Sequence, residues 1–251
     1  MKKGLTEIVF ILDKSGSMCG LEDDTIGGYN SFINKQKKEE GDAVISTVLF
    51  STKREVIHNR VSLKDVPPLT DKEYSVEGCT ALLDAIGLSI SHIVNVHKKL
   101  DKNLVPEKTI FVITTDGMEN SSVEFSYKNV KDLIEKETNK YGWEFMFLGA
   151  NIDAVKEGKR FGIKESHAVS YHQDSYGTNL NFRCLSESIS GLRRGESINS
   201  AWKKDIELYH DKTEGKKKRG KRRSRNNYEE PPLMLTSFSN ITKTPLYPRN
   251  K

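Results

Sequence analysis

Residues 7–17 read EIVFILDKSGS. The first six form a near-continuous apolar run, the pattern of a strand buried on both faces. The run stops at Asp13, and Lys14-Ser15-Gly16-Ser17 turn the chain away. An amphipathic stretch follows at 22–38, with Ile26, Tyr29, Phe32 and Ile33 at helical spacing. Gly27-Gly28 inside it lowers helix propensity, so close packing against a sheet is the expected reason.

The same alternation continues along the chain. Residues 43–50 (AVISTVLF) read as a second buried strand and 54–63 as a more polar edge strand. Residues 64–78, with Pro67-Pro68, read as a long loop. A helix is expected from about Thr80 to Lys99, with Leu83, Ile86, Ile90, Ile93 and Val94 facing inward. Residues 108–114 (KTIFVIT) form a third buried strand ending at Thr115-Asp116-Gly117. A helix at 127–140 and a strand at 143–148 come next, the strand ending at Gly149-Ala150-Asn151. A short helix to about 161, a strand at 166–171 and a helix at 179–192 follow. Ile198, Trp202, Ile206 and Tyr209 keep helical spacing, so a last helix is expected to pack on the domain.

Apolar strands alternating with amphipathic helices predict an α/β fold: a doubly wound, mostly parallel sheet flanked by helices. Ligands of such sheets bind beyond the carboxyl ends of the strands, where strand order reverses. Residues 1–211 are expected to form this domain and 212–251 a basic tail. The tail holds 12 Lys/Arg against 3 Asp/Glu, a net of +9, while the rest holds 28 against 32, a net of −4. Arguments about nucleic acid, or about docking on an acidic partner, therefore concern the tail alone, above all Lys216, Lys217, Lys218, Arg219, Lys221, Arg222, Arg223 and Arg225. That run is low in complexity and is expected to be disordered. It lacks interleaved aromatics, so base stacking is not indicated. A flexible acidic pair beyond it, Glu229-Glu230, is a candidate for masking the protein's own site.

No stretch approaches the ~20 apolar residues of a membrane span, and the apolar run 8–12 is too short for a signal peptide. The three cysteines, Cys19, Cys79 and Cys184, offer no disulfide framework and no CxxC pair. A cytoplasmic protein with reduced thiols is expected, although Cys19 and Cys79 fall in two loops of one candidate site. Neither GxxxxGK[ST] nor GxGxxG is present, and the six histidines follow no catalytic or zinc-binding order.

The chemistry concentrates in three segments. Ser15 and Ser17 are two apart on a turn that Gly16 frees, so both hydroxyls can face one point. Asp13 adds negative charge at the strand end. In Gly78-Cys79-Thr80-Ala81-Leu82-Leu83-Asp84-Ala85, Thr80 sits where its hydroxyl can cap a helix or bind a metal. Thr115-Asp116-Gly117 brings a second carboxylate. Two carboxylates and three hydroxyls suit a hard cation such as Mg²⁺ (or Mn²⁺). Glu119, Asn120 and Asn151 are candidate rim residues for a partner, with helix capping the more ordinary role for Asn151.

The order DxSxS, then GxTxLxDA, then TDG resembles the metal-ion-dependent adhesion site (MIDAS) of von Willebrand factor A domains. The match covers roughly residues 5–195. With the FLGAN segment at 147–151, the chain also resembles small stand-alone bacterial or phage proteins of this class. The resemblance implies that Asp13, Ser15, Ser17, Thr80 and Asp116 are the metal set, and that a partner's Asp or Glu completes the coordination. Neutral hydroxyls keep the metal electrophilic, whereas direct binding by Asp116 would lower its affinity for that acid. A non-catalytic adaptor or assembly factor follows. The rival readings are a Mg²⁺-dependent phosphohydrolase using Asp13 and a nucleic-acid-associated factor acting through the tail. The first is weakened by Ser15, which stands where such enzymes usually carry a second carboxylate.

Overall fold

The computed structural model describes residues 1–225, with side chains to Glu214. Met1–Glu214 form one compact unit. Six strands make one sheet: β1 (Lys2–Asp13), β2 (Asp42–Phe50), β3 (Arg54–Ser62), β4 (Pro106–Thr115), β5 (Glu144–Ala150) and β6 (Ala168–Tyr171). Their order is β3-β2-β1-β4-β5-β6, and only β3 runs antiparallel. Strand order therefore reverses between β1 and β4, and Asp13 and Thr115 end those two strands. The mostly parallel α/β sheet expected from the sequence is the one observed.

The helices are α1 (Glu22–Gln36), α2 (Leu82–Lys99), α3 (Tyr127–Tyr141), α4 (Ala154–Arg160), α5 (Ser175–Arg194) and α6 (Lys204–Arg225). Period-two alternation sorts β1 between two cores. Ile8, Phe10 and Leu12 pack with α1 and α5, while Val9 and Ile11 pack with α2 and α3. Phe10 is the hub of the first core. Its ring meets Tyr29 and Phe32 edge-on and Phe182 in a stack. Truncating such a fully buried ring to alanine costs about 3–5 kcal/mol.

Helix ends follow the sequence chemistry. Ser126 and Asn129 form a reciprocal capping box at α3, and Gly142 closes that helix at φ 67. Asp174 caps α5, which begins at Ser175, earlier than its apolar spacing suggests. Trp202 and Tyr209 pack on the first core and Ile206 is buried in it. Of the four residues expected on one helix, only Ile206 and Tyr209 belong to α6, while Trp202 lies in a 3₁₀ turn at Ser200–Lys203 and Ile198 precedes it. The buried ammonium of Lys203 donates to the carbonyls of Glu165 and Ala168, fastening this corner to the edge of β6. Backbone helix continues to Arg225, past Tyr209, where the apolar spacing ends. The helical backbone through 216–225 departs from the disorder expected of that run. The side chains of 215–225 and all of 226–251, including Glu229-Glu230, lie outside the described residues, and so do the contacts expected of them.

One packing expectation is corrected. A Cβ on Gly28 would collide with the ring of Phe182 on α5, whereas Gly27 meets nothing. The close approach is helix against helix, not helix against sheet.

Candidate functional site at the carboxyl end of the sheet

Beyond Asp13 the chain stays tied to its neighbours. The Lys14 N–H donates to Phe50 O, and the Gly16 N–H donates to Gly78 O. A Cβ at residue 16 would stand 3.3 Å from that Gly78 oxygen, so the first and second motifs meet where Gly16 has no side chain. A short 3₁₀ turn at Gly16–Met18 then brings Ser17 to the same side as Ser15. Helix α2 starts at Leu82, and its N-cap position, Ala81, makes no side-chain cap. Thr80 therefore does not spend its hydroxyl on capping.

The result is a continuous chain of oxygen contacts. Thr80 Oγ1 donates to Ser15 Oγ at 3.1 Å, and Ser15 Oγ lies 3.2 Å from Ser17 Oγ. Ser17 Oγ donates to Asp116 Oδ1 at 2.5 Å. Asp13 lies beneath, fully buried. Its Oδ1 accepts the Ser15 N–H at 2.7 Å and its Oδ2 the Thr115 hydroxyl at 2.6 Å. Tyr74, from the loop at 64–78, donates its phenol to the Asp13 carbonyl. A Cβ on Gly117 would lie 3.1 Å from Thr80 Oγ1 and 3.2 Å from Ser17 Oγ, so this glycine keeps the space beside the hydroxyls open.

Among the described residues no cationic side chain forms an ion pair with Asp13 or Asp116. Burial raises the Asp13 carboxyl to about 6, against hydrogen bonds from Ser15 and Thr115 that lower it. Burial also raises Asp116, opposed by Ser17 and Gln173. The phenol of Tyr171 is pushed up by burial and then by both carboxylates. Lys14 turns to Glu55 and Glu77. Among the described residues no group of three or more His, Cys, Asp or Glu side chains gathers to hold a metal. The donors here are two carboxylates and three hydroxyls. That hard-oxygen set, with the open space at Gly117, fits a small hard cation.

Asn120 and Asn151, two of the three expected rim residues, are exposed and Glu119 is half-buried, and all three have partners within the chain. Both oxygens of Glu119 accept hydrogen bonds, from the N–H groups of Leu83, Ser121 and Ser122 and from the Ser122 hydroxyl. Asn120 Oδ1 accepts the Thr80 N–H, and the Asn120 N–H donates to Thr80 O. These two residues brace the segment that carries Thr80. The capping role given to Asn151 belongs to Asp153, which accepts the Lys156 N–H at the start of α4. Asn151 instead adopts φ 54 and donates its amide to Gln173. Gln173 was not anticipated, and no motif marks it. Its amide donates to Asp116 Oδ2 at 2.8 Å and to Ser17 O at 3.1 Å. Asp84 also has a role that its motif letter did not reveal. Its carboxylate accepts the N–H groups of Val123, Glu124 and Phe125, which fixes the loop after Asp116.

Cys19 and Cys79 are exposed free thiols, and Cys184 is buried on α5. The histidines are occupied structurally. His58 lies in the core against Thr47, His97 against Glu7 and His167 against Glu144. No helix among the described residues is long and apolar enough to cross a membrane.

No family model and no curated protein sequence matches the chain. Solved structures do. The von Willebrand factor domain of a type V pili tip protein from Porphyromonas gingivalis superposes with a TM-score of 0.54 at 11% identity, covering 73% of this chain and 94% of that one. The manganese-loaded TRAP protein of Plasmodium vivax gives 0.52 at 14%, covering 71% and 72%. Proximal thread matrix protein 1 of the mussel byssus, with zinc in its MIDAS motif, gives 0.52 at 16%. This chain spans 74% of its own length in that match but only 46% of the mussel protein's. The likeness is one of fold: the chain has the architecture of von Willebrand factor A domains.

Proposed function

We propose that the protein is a divalent-metal-dependent protein-binding module, an adaptor or assembly factor, that recognises an acidic side chain of its partner. One observation carries the reading: three hydroxyls and a carboxylate from three separate loops form one hydrogen-bonded chain above buried Asp13, where strand order reverses. Ser15, Ser17 and Thr80 would hold Mg²⁺ or Mn²⁺, with Asp13 and Asp116 supplying charge. The bound ion would supply a Lewis-acidic position for an outside carboxylate. Neighbours of the same fold that carry zinc or manganese support this reading. The free thiols of Cys19 and Cys79 suit a reducing, cytoplasmic setting.

We read the site as non-catalytic. Both oxygens of Asp13 are engaged by Ser15 and Thr115 and the residue is fully buried, which leaves no lone nucleophile facing an ester. The decisive test is capture from lysate with wild type and Asp13→Ala baits, each in Mg²⁺ and in EDTA, with melts to confirm folding. A partner retained only by wild type in Mg²⁺ is the expected result. The same proteins in all four captures would refute metal-dependent binding.

A further inference from the structure

The two oxygens of Asp116 are held by different elements. Oδ1 takes the Ser17 hydroxyl, and Oδ2 takes the amide of Gln173 from the connection between β6 and α5. An amide nitrogen has two N–H bonds, so Gln173 binds Asp116 and the Ser17 carbonyl at once. Its oxygen accepts the amide of Asn151 at the end of β5. The Gln173 side chain is thus fixed at both ends, and it bridges the loops that follow β1, β4 and β5.

We propose that Gln173 is a positioning residue that keeps Asp116 from becoming a direct ligand of the metal, so that the open position stays available to a partner's acid. The inference rests on the metal-dependent reading above. With Oδ2 held by an amide donor and Oδ1 by the Ser17 hydroxyl, the carboxylate has charge-assisted partners that compete with a cation. Each carboxylate that joins a metal directly lowers its pull on an incoming one. Releasing Oδ2 would let Asp116 swing onto the ion, which would tighten metal binding and weaken attraction for an external acid. The sign separates this role from simple support. Losing a residue that merely braces ligands weakens metal affinity, typically by about 10–100-fold.

The test uses the full chain with Mn²⁺ as probe. Metal affinity is read from the signal of free Mn²⁺, and coordinated waters from water-proton relaxation, with and without acetate. Gln173→Met keeps the length of the side chain and removes the amide. Asn151→Gly removes the anchor on the amide oxygen and tolerates the positive φ. Gln173→Met should bind Mn²⁺ about ten-fold more tightly, because the charge of the ligand set rises. It should also lose one coordinated water and respond less to acetate. Asn151→Gly should move the same way by a smaller factor. Unchanged or weaker binding by Gln173→Met with unchanged hydration would overturn the proposal. If wild type itself takes up no Mn²⁺ at millimolar concentration, the metal reading fails and the positioning role with it. That failure is recognisable because it shows in the wild-type arm alone.

Discussion

Six residues apart on β1, Glu7 and Asp13 are both fully buried carboxylates, and their surroundings are opposite. Glu7 has a partner on each oxygen: the Arg60 guanidinium through Nε at 2.7 Å and the His97 ring through Nε2 at 2.5 Å. Among the described residues Asp13 meets dipoles alone, the Ser15 N–H and the Thr115 hydroxyl, with the second carboxylate of Asp116 nearby. A buried charge with fixed partners is a closed structural unit. A buried charge with dipoles alone still lacks a counter-charge. The difference is what the proposed metal site would use: the Asp13 end of the strand is the one where an added cation would find an unpaired carboxylate.

The comparison breaks most sharply at Glu7. Glu7→Gln leaves the Arg60 guanidinium half-buried without its anion and breaks the contact to His97, and this should destabilise the fold by about 3 kcal/mol. Urea unfolding with an unchanged slope would check it. Mn²⁺ affinity measured below the unfolding range should stay at the wild-type value. A stability loss under about 0.5 kcal/mol, the scale of an ordinary surface substitution, would mean that the triad is not a closed unit.

A smaller effect belongs to Asp13. Its carboxyl sits at about 6 in the fold against an ordinary 3.8. A raised carboxyl contributes stability that is complete below the ordinary value and lost as pH rises through the folded one. In EDTA the protein should therefore lose on the order of 2–3 kcal/mol between pH 4 and 7 from this group. Asp116 is shifted the same way and adds to the trend. Excess Mg²⁺ at neutral pH should recover the loss, and Asp13→Asn should flatten the curve. Wild-type and Asp13→Asn profiles that run parallel would show that Asp13 carries no unmet charge.

The same contrast explains what the sequence could disclose. Strands β1, β2, β4 and β5 are legible because each is a short apolar run closed by turn residues, a local pattern, and β3 is legible as a more polar edge. Asp13, Ser15, Ser17, Thr80 and Asp116 are legible as a candidate set because each lies in a short motif at a strand or helix end. Partnerships formed only by folding leave no such trace. Arg60 and His97 reach Glu7 across 53 and 90 residues, and a charged residue in an apolar strand does not announce its partners. Gln173 reaches Asp116 across 57 residues from a loop without pattern. Asp84 sits inside a recognised motif, yet its task of receiving three backbone N–H groups depends on a loop some 40 residues later. The cap at α4 was misassigned because Asn151 and Asp153 are equally good capping types. The backbone decides between them: Asn151 is left-handed at φ 54, and Asp153 stands directly before Ala154.

The smallest expected effect concerns Lys14, the cation next to Asp13 in sequence. If the chain neutralised Asp13 internally, this residue would be the natural donor of charge. Its ammonium lies 3.4 Å from Glu55 and 3.5 Å from Glu77, both largely exposed, while its stem is buried. Pairs with exposed partners are worth about 0–1 kcal/mol. Lys14→Met keeps the buried stem and removes the charge, so stability should change by less than about 1 kcal/mol. More tellingly, the dependence of stability on pH in EDTA should keep its wild-type shape, because Asp13 never had this cation as a partner. A steeper loss of stability toward neutral pH in Lys14→Met would reveal that Lys14 shields Asp13 through the loop. The two ends of β1 would then differ in degree rather than in kind.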